Sequence, residues 1–249
     1  MEDRAVMAVD GRSTPRQRYR DQVRAEIKHE ALEQIRAGGI PALSLNAVAK
    51  RLGLTGPALY KYFRSRDDLL TELIGDAYDE AAAAIRRAGE RVADAPARER
   101  LRALGAAYRQ WALEAPHLYL LLAGTPSPSY AAPAEMVERA RVVLGPFLPV
   151  LAQGRLRPGA EELRAQLRRW LEETPAVVEW VTSHTSAGDP ATALTGTIIA
   201  WTRLHGVVSL EVQGQFAGMG HQPATLVEVE MDTLADVMGL PAPTGDTDR

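Results

Sequence analysis

The chain has 249 residues, of which 46% are apolar, and a formal net charge of −3. That is enough apolar material for a packed core, so disorder is not the default. There is no cysteine, which excludes disulfides, thiol nucleophiles and cysteine-ligated metal sites. No stretch approaches the roughly 18 unbroken apolar residues of a membrane helix, and the first twenty residues lack the shape of a signal peptide. The expectation is a cytoplasmic protein with no membrane partner. Charge is unevenly spread. Residues 1–66 carry 13 basic against 7 acidic residues, and the remainder carries 16 against 25. A small basic end on an acidic body is the footprint of a chain whose one end meets phosphates.

Helical periodicity dominates and alternating β-branched runs are scarce. Tyr19, Val23, Ile27, Ala31 and Ile35 fall four apart and predict one apolar stripe, closed by Gly38-Gly39. Arg16, Arg18 and Arg20 form either an electrostatic arm or a solvated helix start. Ser44 caps a short helix through Arg51, and Leu52-Gly53-Leu54 turns the chain. Thr55 opens another short helix, with Pro57 in its first turn, running to about Phe63. Ser65 caps a longer fourth helix with Asp67 and Asp68 in its first turn. Further helices are expected near 97–114, 117–123, 134–153, 159–173, 175–186, 190–216 and 223–238. Gly145, Pro146 and Pro149 should kink or split the third of these, and 124–133 reads as a loop.

The segment from Ala42 to Leu70 has a mechanical reading. Where two short helices cross steeply a small residue must sit at the crossing, and Ala49 can. The turn needs a residue tolerant of positive φ, and Gly53 supplies it. Val48, Leu52, Leu54, Leu59 and Phe63 then point inward, leaving Thr55, Gly56, Pro57, Ala58, Tyr60, Lys61 and Tyr62 outside. Two outward tyrosines beside a proline and a glycine suit a surface that meets DNA: small residues let the helix start sink into the major groove.

Leu59-Tyr60-Lys61-Tyr62-Phe63, followed by Arg64-Ser65-Arg66 and Leu69-Leu70, resembles the end of the recognition helix in TetR-family regulators. The resemblance covers about residues 18–70 and implies a dimeric, ligand-responsive transcription regulator, most simply a repressor released from a palindromic operator. It implies that Ser44 and Thr55 sit at helix starts near phosphates and that Gly56, Pro57 and Lys61 lie where base edges are read. Tyr60 and Tyr62 would contact the backbone, Arg66 would anchor a phosphate, and Asn46 would reach a base. Gly56 has no side chain for a direct contact. Lys61 to guanine, or Pro57 and Ala58 against thymine methyls, are left to read sequence.

A second resemblance is shorter. Trp201-Thr202-Arg203-Leu204-His205-Gly206 looks like the Trp-x-x-Leu-His-Gly signature of one subgroup of TetR-type C-terminal domains. It implies a four-helix dimer interface including Trp201, Leu204, His205, Gly206, Val208, Leu226, Val229 and Leu234. The fold expected is all-α: a three-helix helix-turn-helix domain over residues 15–66 and a larger ligand-binding and dimerisation domain over 67–240. Residues 1–14 and 241–249 are read as flexible. The resemblance puts a sensing pocket among the central helices, where Tyr108, Trp111, His117, Tyr119, Trp170, Trp180 and His184 cluster in sequence, suiting a largely apolar or aromatic effector. No cofactor is expected. Two rivals stand beside this reading. A DNA-binding factor without a ligand would show a closed core in place of a cavity. A helical enzyme is disfavoured because the five histidines lack metal spacing and no phosphate loop is present.

Overall fold

The computed structural model describes residues 14–124, 130 and 133–242. Most of the expected loop at 124–133 and both sequence extremes thus lie outside the described residues. Among the described residues there are twelve α-helices, two 3-10 turns and no strand. The helix starts follow local chemistry. Five helices open on a proline (Pro15, Pro116, Pro175, Pro190 and Pro223), where the missing N–H costs nothing and φ is already helical. Thr14, Ser44, Thr55 and Asp189 each accept a hydrogen bond from a backbone N–H of the first turn that they cap.

The chain divides into two compact units, Met1–Leu70 and Thr71–Arg249, and the boundary falls inside one helix. The first unit contains α1 (Pro15–Gly38), a 3-10 turn (Ile40–Ala42), α2 (Leu45–Arg51), α3 (Gly56–Leu59) and the start of α4 (Arg66–Arg91). Its core is Val23, Ile27, Ala31 and Ile35 of α1 with Leu45, Val48, Leu59, Phe63 and Leu69, all buried. Each large side chain among them contributes roughly 1.5–3 kcal/mol by leaving water. Tyr19 does not continue the stripe. It is 66% exposed, because the first two turns of α1 lie in solvent. Gly39 and Gly53 take positive φ, 73° and 65°, and make the turns that end α1 and separate α2 from α3.

The second unit holds α5 (Ala97–Glu114), α6 (Pro116–Ala123), α7 (Glu135–Leu144), α8 (Leu148–Leu151), α9 (Glu161–Glu173), α10 (Pro175–His184), α11 (Pro190–Val212) and α12 (Pro223–Val237). The expected 134–153 helix is split as anticipated: Gly145–Phe147 form a 3-10 turn between α7 and α8. α5, α11 and α12 pack closely around Gly105, where a Cβ would stand 2.9 Å from Met231 and 3.2 Å from Leu204. Leu148, Leu171, Val177, Val181 and Leu194 form a second cluster that joins α8, α9, α10 and α11. Arginines of α5 reach across to the last two helices. Arg98 donates to Asp236 and to the carbonyls of Asp232 and Leu240, Arg102 pairs with Asp232, and Arg109 pairs with Glu211.

Candidate nucleic-acid interface

Ser44 and Thr55 fix the two short helices of the first unit by capping, through Ala47 N–H and Ala58 N–H. α3 is shorter than expected. Its α-helical part ends at Leu59, and the chain continues to Phe63 as a tighter turn, with Lys61 N–H on the Ala58 carbonyl and Tyr62 N–H on that of Leu59. Asn46, Thr55, Pro57, Tyr60 and Lys61 are exposed, while Gly56, Ala58 and Tyr62 are half-buried. A Cβ added at Gly56 would meet nothing within 4 Å, so the helix start presents bare backbone. Tyr60 is 50% exposed although it is a large aromatic, and Leu59 and Phe63 beside it are fully buried. The turn thus drives two side chains into the core and holds the Tyr60-Lys61 pair outside.

Arg66, expected at a phosphate, is engaged within the unit: Nη2 donates to the Ile40 carbonyl at 2.7 Å and Nε to that of Leu43 at 3.2 Å. Ile40 opens the 3-10 turn and its carbonyl also accepts from Leu43 N–H, while Leu43 caps that turn. Arg66 therefore ties the start of α4 to the segment that precedes α2. A second arginine does similar work unforeseen in the sequence. Arg24 of α1 donates to the Tyr62 carbonyl and lies over the Phe63 ring, 4.3 Å from its centroid. Ser65 and Asp68 complete the fixing of this corner. Asp68 N–H donates to Ser65 Oγ, and Asp68 Oδ2 accepts from Arg64 N–H.

The expected effector aromatics do not form one group. Tyr108, Trp111 and Tyr119 are buried together with ring centroids 6.1–6.4 Å apart, and Tyr119 faces His205 at 6.0 Å. Burial holds the Tyr108 and Tyr119 hydroxyls above their ordinary range and the His205 ring below its own. Trp180 and His184 belong elsewhere. Trp180 neighbours Arg141, and the His184 ring packs on Gly145 while its Nδ1 donates to the Trp180 carbonyl. Trp170 is 41% exposed because α9 turns only Leu171 fully inward. His117 is half-buried at the start of α6. A groove of about 700 Å³ does run between α4 and α5, and of the seven expected residues only Trp111 borders it.

The expected dimer residues also divide. Trp201, Gly206 and Val229 are exposed, and His205 and Leu226 are half-buried. Leu204, Val208 and Leu234 are buried within the protomer. Leu204 closes on Gly105 of α5.

These features, a capped helix pair and an outward Tyr-Lys turn on a basic unit, fall within the first of two family models that the chain matches. Residues 27–73 match the model described as bacterial regulatory proteins, tetR family. Residues 101–234 match the tetracyclin repressor-like C-terminal domain. The chain belongs to the TetR family. It is a DNA-binding transcriptional regulator, and its relatives are regulators, not enzymes. This regulator is 32% identical over 224 residues to HTH-type transcriptional regulators of Mycobacterium tuberculosis and Mycobacterium bovis, covering 88% of this chain and 93% of theirs. The crystal structure of the regulatory protein SCO4313 is 44% identical, with a TM-score of 0.74, covering 90% of this chain and all of the other. A protein of unknown function from Rhodococcus sp. RHA1 shares the fold at 23% identity, with a TM-score of 0.62 and coverage of 88% and 96%.

Proposed function

We propose that this regulator is a homodimeric repressor that a small-molecule ligand releases from a palindromic operator. The exposed Tyr60-Lys61 turn, set on a start of α3 that presents bare backbone, carries the DNA half of this reading. Ser44, Asn46, Thr55, Gly56, Pro57, Ala58 and Tyr62 complete the proposed surface, and Arg66 supports it from inside. The dimer half rests on α11 and α12, which leave Trp201, Leu210 and Val229 largely in solvent. Large apolar side chains on two packed helices suit a self-complementary contact. Two copies would then address half-sites roughly 34–36 Å apart, one turn of DNA.

α4 is covalently part of both units, so a ligand that favours one setting of α4 has a lever on the helix-turn-helix. Such a ligand acts only through its difference in affinity for the two forms, and near-complete switching needs roughly 5.5 kcal/mol of it. The test is binding of the purified regulator to its promoter DNA with salt titrated, beside a Tyr60→Ala, Lys61→Ala double variant. Tight dimeric binding that falls steeply with salt and weakens in the variant supports the reading. Absence of any bound fragment in a genome-wide selection overturns it.

A further inference from the structure

The groove between α4 and α5 has a polarity of its own. The two helices are joined by the short connection 92–96 and run antiparallel, with Gly89 against Leu104, where a Cβ would be 3.3 Å away. Ala84 and Ala88 from one side and Ala103 and Ala107 from the other line it. Short side chains on both walls are what leave the space open. Arg87 and Arg91 stand at the end where the chain turns, one helical turn apart on α4 and both exposed. Neither has a carboxylate partner among the described residues. Glu80 and Glu114 stand at the other end. Gln110 donates to Glu114 at 2.7 Å and sets its direction.

The cation between these ends is neutralised. Arg109 borders the groove, but its guanidinium is held by both oxygens of Glu211, at 2.7 and 2.5 Å. The middle therefore carries no net free charge. Glu80 lies seven residues from Arg87 and eleven from Arg91. At a rise of 1.5 Å per residue this separates the charges by about 10–16 Å along the axis. One further group is unspent. Trp111 borders the groove, is nine-tenths buried, and its indole N–H has no acceptor among the described residues. A buried donor without a partner costs free energy.

We propose that this groove binds an elongated amphoteric molecule, its anionic end on Arg87 and Arg91 and its cationic end on Glu80 and Glu114. The apolar body lies along the alanine walls beside Trp111. The inference rests on the ligand-responsive reading above and narrows its effector from a largely apolar or aromatic molecule to one with opposite charges at its two ends.

The probes are ω-aminododecanoate, dodecanoate and dodecylamine, titrated calorimetrically below their aggregation limits against the full-length protein without DNA. They share one chain and differ in their end charges. The amino acid is expected to bind at least about ten-fold more tightly than either single-ended probe. Arg87→Glu with Arg91→Glu should transfer the preference to dodecylamine. Glu80→Lys with Glu114→Lys should transfer it to dodecanoate. All four side chains are exposed, so both double variants keep the core intact. Equal binding of the three probes, no binding by wild type, or a ranking that ignores both reversals would overturn the proposal. Release from operator DNA is then measured separately with ω-aminododecanoate. Charge-ranked binding without release upholds the amphoteric site and removes the groove from the switching mechanism.

Discussion

The Arg24 guanidinium lies 4.3 Å from the centroid of the Phe63 ring and donates to the Tyr62 carbonyl. One side chain of α1 thus holds both the buried and the backbone end of the turn that presents Tyr60 and Lys61. A cation over a ring is worth about 0.5–2 kcal/mol, and a charged hydrogen bond about 1.5–3 kcal/mol. Arg24→Ala should therefore lower the stability of the first unit by about 2–3 kcal/mol, read from urea unfolding. Arg24→Lys should restore only part of this, because an ammonium cannot stack and donate in the same plane. Full restoration by lysine would show that charge alone matters there.

Lys61 and Arg66 should separate in salt dependence. Lys61 is exposed, whereas Arg66 spends its donors on the carbonyls of Ile40 and Leu43. A residue that neutralises a phosphate contributes about one unit to the slope of log affinity against log salt. Lys61→Ala should reduce the slope by about one. Arg66→Gln should weaken binding with the slope unchanged, through loss of order at the start of α2. A reduced slope for Arg66→Gln would mean that its guanidinium swings out to DNA in the complex.

What was legible in the sequence was local. Ser44, Thr55 and Ser65 announce helix starts because a cap acts within three residues of itself. Pro116, Pro175, Pro190 and Pro223 do so because a ring fixes its own φ. Gly53 announces the turn because only its missing Cβ makes φ of 65° inexpensive. Residues that answer to distant partners are not legible in this way. Arg66 takes its acceptors 23 and 26 residues away, and its own neighbours read as solvated. Leu204 and Trp201 lie on one helix that is apolar over a wide face. Periodicity does not tell which part of such a face meets α5 of the same chain: Leu204 packs on Gly105, while Trp201 stays exposed. The same holds for the aromatics of the second unit: Tyr119 and Trp170 have alike hydropathy, and packing alone sends one to 0% exposure and leaves the other at 41%.

His205 makes stability depend on pH. Burial lowers its pKa below the ordinary 6.5, with Tyr119 Oη 3.4 Å from Nδ1. Well above pH 6.5 the ring is neutral in both folded and unfolded chains and contributes no slope. As pH falls through 6.5 the unfolded chain takes up this proton first, so the folded state loses stability until its own lower pKa is passed. The loss is at most about 1.4 kcal/mol per pH unit for one proton. Urea unfolding of wild type and His205→Phe at neutral pH and about one unit below 6.5 checks it. The acid-induced loss should be smaller in the variant. An equal loss in both would assign the pH dependence to other groups.

Arg109 and Glu211 are joined by two hydrogen bonds of 2.7 and 2.5 Å, with side chains only 19% and 12% exposed. The pair couples α5 to the end of α11 beside the groove. Removing one partner strands a largely desolvated charge, whereas removing both leaves none. Glu211→Gln should cost about 3 kcal/mol, reduced where water still reaches the guanidinium. Arg109→Met combined with Glu211→Leu should recover most of that loss, since an apolar pair of similar volume replaces two ions. Ligand binding gives the second readout. In Glu211→Gln the freed Arg109 puts a positive charge in the middle of the groove, so dodecanoate should gain affinity relative to ω-aminododecanoate. If the single and double variants are equally destabilised, the bridge acts through packing and not through charge pairing. If dodecanoate gains nothing, the Arg109 guanidinium does not face the groove once released.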